Sequence, residues 1–144
     1  MKLFLNHKEM TDGFFEETRL LGIMAPMKAY SFCWQLNNLL NFDFRINNDI
    51  EIQLNKKNRN YFFSVYEYPE KNTSVTHYLY NNQHEGEYLL PELKHLDFLW
   101  LLKGDIIKEE EMQNLLNFIK SIHGVQLIVE LTNEKIRNKE HLIF

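Results

Sequence analysis

Glu92, His95 and Asp97 put an acid, an imidazole and a second acid within one short stretch, the residue types of a general acid–base site. If residues 92 to 95 turn, Glu92 can face His95, and Asp97 can orient the ring. The same residues have a plainer use. Behind Pro91, a carboxylate at Glu92 can accept backbone hydrogen bonds in the turn, and Asp97 can anchor the start of the strand that follows. With no nucleophile nearby, the structural use is preferred and no catalytic residue is assigned. His84-Glu85-Gly86-Glu87 opens like a zinc-binding helix, but position 88, where the second histidine would be needed, is Tyr, and the segment reads as a turn. No metal is expected. The lone cysteine, Cys33, falls on an apolar helical stripe, where a thiol packs as a small hydrophobe and is poorly ionised. The five glycines are dispersed and form no phosphate-binding loop, so no cofactor is expected either. Lys56, Lys57 and Arg59 make a small basic tip just ahead of Tyr61, Phe62 and Phe63, a pairing that could neutralise and stack single-stranded RNA. A solvated hairpin tip has the same composition, and RNA is the less favoured reading.

The chain of 144 residues is 44% hydrophobic and 14% aromatic, enough to fill the core of one α+β domain spanning residues 1–144 without disulfides or a structural metal. A net charge of −4 gives no general attraction to phosphate, which argues against DNA. One cysteine excludes an intrachain disulfide framework and suits a reducing cytoplasm. The apolar stretch at Met1–Leu5 is too short for a signal-peptide core, and no run reaches the length needed to span a membrane. The expected setting is cytoplasmic, with no membrane partner.

These residues must be positioned by the elements around them. Residues 2 to 5 read as a short edge strand, Gly13 as a turn, and Phe14 to Met24 as a longer strand. After Pro26, Ala29, Cys33, Leu36 and Leu40 recur at helical intervals, with Tyr30 and Trp34 beside the stripe. Phe42, Phe44 and Ile46 alternate within a turn-rich stretch. Ile50, Ile52 and Leu54, a polar turn at Asn55–Asn60, and Tyr61–Tyr68 then predict a hairpin. Val75–Tyr80 and Tyr88–Leu90 extend it into an antiparallel meander. Met112, Leu115, Leu116, Ile119 and Ile122 predict a second helix, with Glu109, Glu110 and Glu111 complementing its dipole, Gly124 a left-handed turn, and Val125–Leu131 a last strand.

The decisive stretch is residues 97 to 103. Phe98, Trp100 and Leu102 share one face of an extended strand, while Leu99 and Leu101 share the other with Asp97, so the strand belongs mid-sheet, covered on both sides. The order of elements gives a mostly antiparallel sheet of about six or seven strands with two helices on one face, a ferredoxin-like plan with an enlarged central meander. Two helices cover only one face. The other is expected to expose Tyr66, Tyr68, Tyr78 and Tyr80 with Phe98 and Trp100 or the leucine set. A homodimer built sheet against sheet is the expected assembly, and any other protein partner is unspecified.

Leu90-Pro91-Glu92-Leu93-Lys94-His95-Leu96-Asp97-Phe98 resembles the naming motif of the IPExxVDY family, small cytoplasmic proteins of Bacteroidetes. Pro91, Glu92 and Asp97 match outright, and Leu90, Leu96 and Phe98 stand for the family's Ile, Val and Tyr. Three residues separate Glu92 from Leu96, where the family pattern has two. The helix with Tyr30 and Leu36-Asn37, and the ending Gly124-Val125-Gln126 before an apolar C-terminus, are also similar. The resemblance implies a bacterial, uncharacterised family with no assigned activity, and it offers no catalytic residues to transfer. It leaves a non-catalytic binding or interaction module as the expected function, with the Glu92, His95 and Asp97 cluster or the Lys56–Arg59 tip as an enzymatic or RNA-binding alternative.

Overall fold

Alternating side chains in the middle of the chain and helical spacing on either side build a mixed α+β architecture. The computed structural model describes residues 2–144, with side chains from Lys8 onward. In chain order the elements are α1 (Lys2–Phe14), β1 (Arg19–Met24), α2 (Ala29–Leu39), β2 (Arg45–Lys56), β3 (Arg59–Pro69) and β4 (Thr76–Asn81). They continue with β5 (Gln83–His84), β6 (Glu87–Tyr88), β7 (Phe98–Lys103), α3 (Glu109–Lys120) and β8 (Leu127–Glu130). Short 3-10 turns occur at Pro91–Leu93, Asn133–Lys135 and Lys139–Leu142. Six strands form one sheet in the order β2-β3-β4-β7-β1-β8, antiparallel at every step, and β5 and β6 form a separate two-stranded ribbon.

β7 lies between β4 and β1, and Phe98 to Leu102 are all buried, as the two-faced apolar pattern required. On one face of the sheet, Ala29, Phe32, Cys33 and Leu36 of α2 and Met112, Leu115 and Ile119 of α3 gather with Leu21, Ile23, Phe98, Trp100 and Leu102. Phe32 stacks on Phe98 with ring centroids 4.9 Å apart.

The opposite face is not uncovered. Leu20, Phe63, Val65, Tyr80, Leu99 and Leu101 are roofed by Phe15 at the end of α1, by Leu89, Leu90 and Leu96 from the segment before β7, and by Leu131 and Leu142 from the C-terminal segment. The Tyr80 hydroxyl donates to the Leu142 carbonyl at 2.9 Å, and Phe144 packs on Phe14 and Tyr78 with centroids 5.1 and 4.8 Å away. The expectation of a bare sheet face counted helices and overlooked irregular chain, which buries apolar area as well as a helix does once its backbone groups are paired.

The expected interface set divides accordingly. Register pairs Tyr66 with Leu79 and Tyr80 with Val65, so Tyr66 and Tyr68 pack on the helical side while Tyr78 and Tyr80 belong to the other face. Tyr80, Phe98 and Trp100 are buried within the single chain, and Tyr66, Tyr68 and Tyr78 are half-buried.

Three local readings change. Residues 2 to 5 belong to α1 rather than to an edge strand: Leu3, Met10 and Phe14 recur at intervals of seven and four, a helical spacing that a four-residue window does not register. The strand expected from Phe14 starts only at Arg19, because Phe14 ends α1. The polar turn at 55–60 shrinks to Lys57-Asn58, whose φ values of 55° and 63° suit the two-residue type I′ turn that a tight hairpin favours. Glu85-Gly86 turns the β5–β6 ribbon in the same way, with φ of 51° and 86°. Gly124 has the expected positive φ, at 96°. Gly104, at φ 114°, must be glycine for a second reason: a Cβ there would run into the Ser74 carbonyl oxygen.

Candidate functional site

The three residues with acid–base composition are separated by their tasks. Glu92, in the turn after Pro91, accepts hydrogen bonds from the backbone N–H of Arg137 at 2.5 Å and of Asn138 at 2.8 Å, and from Asn138 Nδ2 at 2.9 Å. Burial works to raise its pKa. The bonds from the Asn138 side chain and from the backbone of Glu92, Arg137 and Asn138 outweigh burial and hold the carboxyl below its ordinary value. Asp97 Oδ2 accepts the Ala25 N–H at 2.7 Å, and the Asp97 N–H donates to the Ile23 carbonyl at 2.8 Å, which ties the start of β7 to the end of β1. His95 is exposed. Pro91, Glu92, Asp97 and Phe98 thus serve the turn, its tether to the C-terminal segment, and the start of the central strand.

Asn82 completes that frame. Fully buried, it donates through Nδ2 to the carbonyls of Leu93 and Leu96, both at 2.9 Å, and accepts the Leu90 N–H at 2.8 Å. Nothing in the local pattern singled it out, since asparagine in a turn is usually solvated.

The basic tip carries its own counter-ions. Arg59 pairs with Glu85 at 2.7 Å and lies over the Tyr61 ring, and Lys56 lies 3.6 Å from Glu87. Both acids come from the β5–β6 ribbon. His84 immediately precedes its Glu85-Gly86 turn, and among the described residues no group of three or more His, Cys, Asp or Glu side chains is placed to hold a metal ion. Cys33 is buried, and burial pushes its thiol up to about 12.

One polar cluster escaped sequence reading altogether. His77 of β4 is buried between Trp100 and Glu70: Trp100 Nε1–H donates to His77 Nδ1 at 2.9 Å, and His77 Nε2 lies 2.5 Å from Glu70 Oε2. Because an indole N–H only donates, Nδ1 must be bare, and the proton sits on Nε2, where it donates to Glu70. Phe42 and Tyr68 stack on the imidazole with centroids 5.7 and 5.1 Å away. Burial lowers the His77 pKa, against a smaller opposing effect of Glu70. The signal available beforehand was the alternation in Val75–Tyr80, which puts His77 on the face opposite Tyr78.

Two surface concavities flank α2. An open cleft of about 720 Å³ lies at its N-terminal end, lined by Lys28, Tyr66, Asn81, His84 and Asp97 among others. A groove of about 740 Å³ runs along its outward side, lined by Tyr30, Trp34, Gln35, Asn38, Leu39 and His123. Here the apolar residues are in the open: Tyr30, Trp34 and Leu39 are 68%, 66% and 63% exposed. From Ala29 to Leu39 the helix carries no charged residue, so its inward stripe of Phe32, Cys33 and Leu36 is matched by an outward one that is also mostly apolar. No protein-family model matches the chain, and no curated protein matches it.

Proposed function

We propose that this chain is a non-catalytic binding module that works through the outward face of α2. A single observation carries the reading. Tyr30 and Trp34, one turn apart, stand in the open beside Leu39 on a helix with no charge to solvate it. Exposed apolar patches on folded domains mark contact sites, and Tyr and Trp are the side chains that most often dominate contact energies. Membership of the IPExxVDY family and a cytoplasmic setting belong to the same reading. Pro91, Glu92 and Asp97 carry the motif, and the lone buried thiol suits a reducing compartment.

Site-specific photo-cross-linking in living cells tests it. A benzophenone side chain at position 34 is expected to yield a discrete adduct. The same group at the exposed Gln113 of α3 is expected to yield none. Equal labelling from both positions, or none from position 34, removes the proposal.

A further inference from the structure

We infer that the cleft at the N-terminal end of α2 binds a small zwitterion of the amino-acid class, its ammonium on Asp97 and its carboxylate on Lys28. This site is separate from the outward face of α2 and stands on different observations.

The cleft forms where several elements stop together. β4 ends at Asn81, which pairs in register with Phe98 at the start of β7, and both residues line the cleft with the start of α2 and with Gln83, His84 and Glu85 of the ribbon. Its volume of about 720 Å³ is in the range of small-molecule sites. Neighbouring polar groups are already committed: Asn82 makes three hydrogen bonds within the fold, and Glu85 pairs with Arg59. The groups facing the cleft are not. Lys28, Tyr66, Asn81 and Gln83 have side chains that hydrogen-bond to no other described residue, although Tyr66 and Asn81 are half-buried. A half-buried hydroxyl and amide that the fold leaves unused are the kind of group that orients a ligand.

Charge selects the ligand class. Asp97 accepts the Ala25 N–H through Oδ2, while its Oδ1 meets no donor and its carboxylate no cation among the described residues. Lys28 lines the same cleft and forms no ion pair with Asp97 or with any other described carboxylate. Two opposite charges therefore face one space without closing on each other. A ligand that carries both an ammonium and a carboxylate satisfies the two at once, whereas a phosphate would meet Asp97 and a polyamine would meet Lys28. His84, the remaining ionisable side chain there, lies 3.8 Å from Glu85. Met27, Tyr30, Tyr66 and Phe98 add apolar surface beside these groups, which suits an amino acid with a large apolar side chain.

Titration of the nitrogen-15-labelled full chain with L-phenylalanine is expected to move the amide resonances of Lys28, Tyr66, Asn81 and Asp97 and to saturate below about 10 mM. N-acetyl-L-phenylalanine, which lacks the ammonium, and L-phenylalanine amide, which lacks the carboxylate, are each expected to bind at least about tenfold more weakly. Lys28 is exposed and makes no side-chain bond within the fold, so Lys28→Met leaves the fold intact, as the spectrum of the unliganded variant verifies. The variant is expected to lose at least about tenfold in affinity for L-phenylalanine and to bind L-phenylalanine amide as the parent does.

Resonances that stay in place with L-phenylalanine overturn the inference. So does equal binding of either singly charged analogue, or binding of L-phenylalanine untouched by Lys28→Met. None of these results bears on the outward face of α2, because Trp34, where the cross-linker is placed, does not line the cleft.

Discussion

Both ring nitrogens of His77 are committed, and only in the neutral state. Protonation would put a hydrogen on Nδ1, facing the indole N–H of Trp100 that now donates to it. Burial favours the neutral form and Glu70 favours the cation, with burial the larger effect, so the folded-state pKa lies below the ordinary value near 6.5. The unfolded chain therefore takes up this proton first as pH falls. The contribution of His77 to stability is full above about 6.5 and is lost as pH falls through the window down to the depressed folded value. Urea unfolding at pH 7.5 and at pH 5.0 is expected to show a loss at the lower pH. His77→Phe, less stable at neutral pH because the Trp100 N–H loses its acceptor, is expected to show a smaller loss. Equal pH dependence in both proteins would mean that other groups cause it.

At the scale of elements, the chain between β4 and β7 acts as a clasp. Asn82 holds its start, Asp97 fixes its end to β1, and Glu92 fastens its middle to Arg137 and Asn138 far along the chain. Without Glu92, two backbone N–H groups and one side-chain amide lose their common acceptor. Glu92→Ala is expected to cost about 1–3 kcal/mol in urea unfolding and to speed hydrogen exchange at the Arg137 and Asn138 amides first. Because its folded pKa is lowered, the contribution of Glu92 is present above its ordinary value and fades as pH falls through the folded one. The element reading from sequence was sound where periodicity ran long, as in α2, α3 and the β2–β3 hairpin. It failed at residues 2 to 5, where too few positions separate a helical repeat from an alternating one.

For the whole molecule, the second sheet face decides between a subunit that is complete alone and one that needs a sheet-to-sheet partner. The C-terminal segment fills the role the dimer was expected to fill, with Leu142 fully buried and Phe144 against Tyr78. Removal of residues 132–144 is expected to bare Leu99 and Leu101 and to produce strong 1-anilinonaphthalene-8-sulfonate fluorescence and loss of soluble protein. A truncated chain that stays soluble and dye-negative would show that this segment is not the cover.

The unbroken apolar run from Phe98 to Leu102 was enough to place β7 in mid-sheet, because a strand apolar on both faces has no stable position at an edge or against water. Helical spacing likewise made the inward stripe of α2 legible, with Tyr30 and Trp34 left off it. The structural tasks of Glu92 and Asp97 were foreseeable from turn chemistry, although their partners Asn138 and Ala25 were not. Those pairs lie 46 and 72 residues apart, and neither local propensity nor periodicity reports on contacts at such separations. The His77–Trp100 bond, the counter-ions of the Lys56–Arg59 tip and the cover over the second sheet face share that long-range character. Each depends on which surfaces meet once strands pair and irregular segments fold back, so packing assigned them and the residue pattern did not.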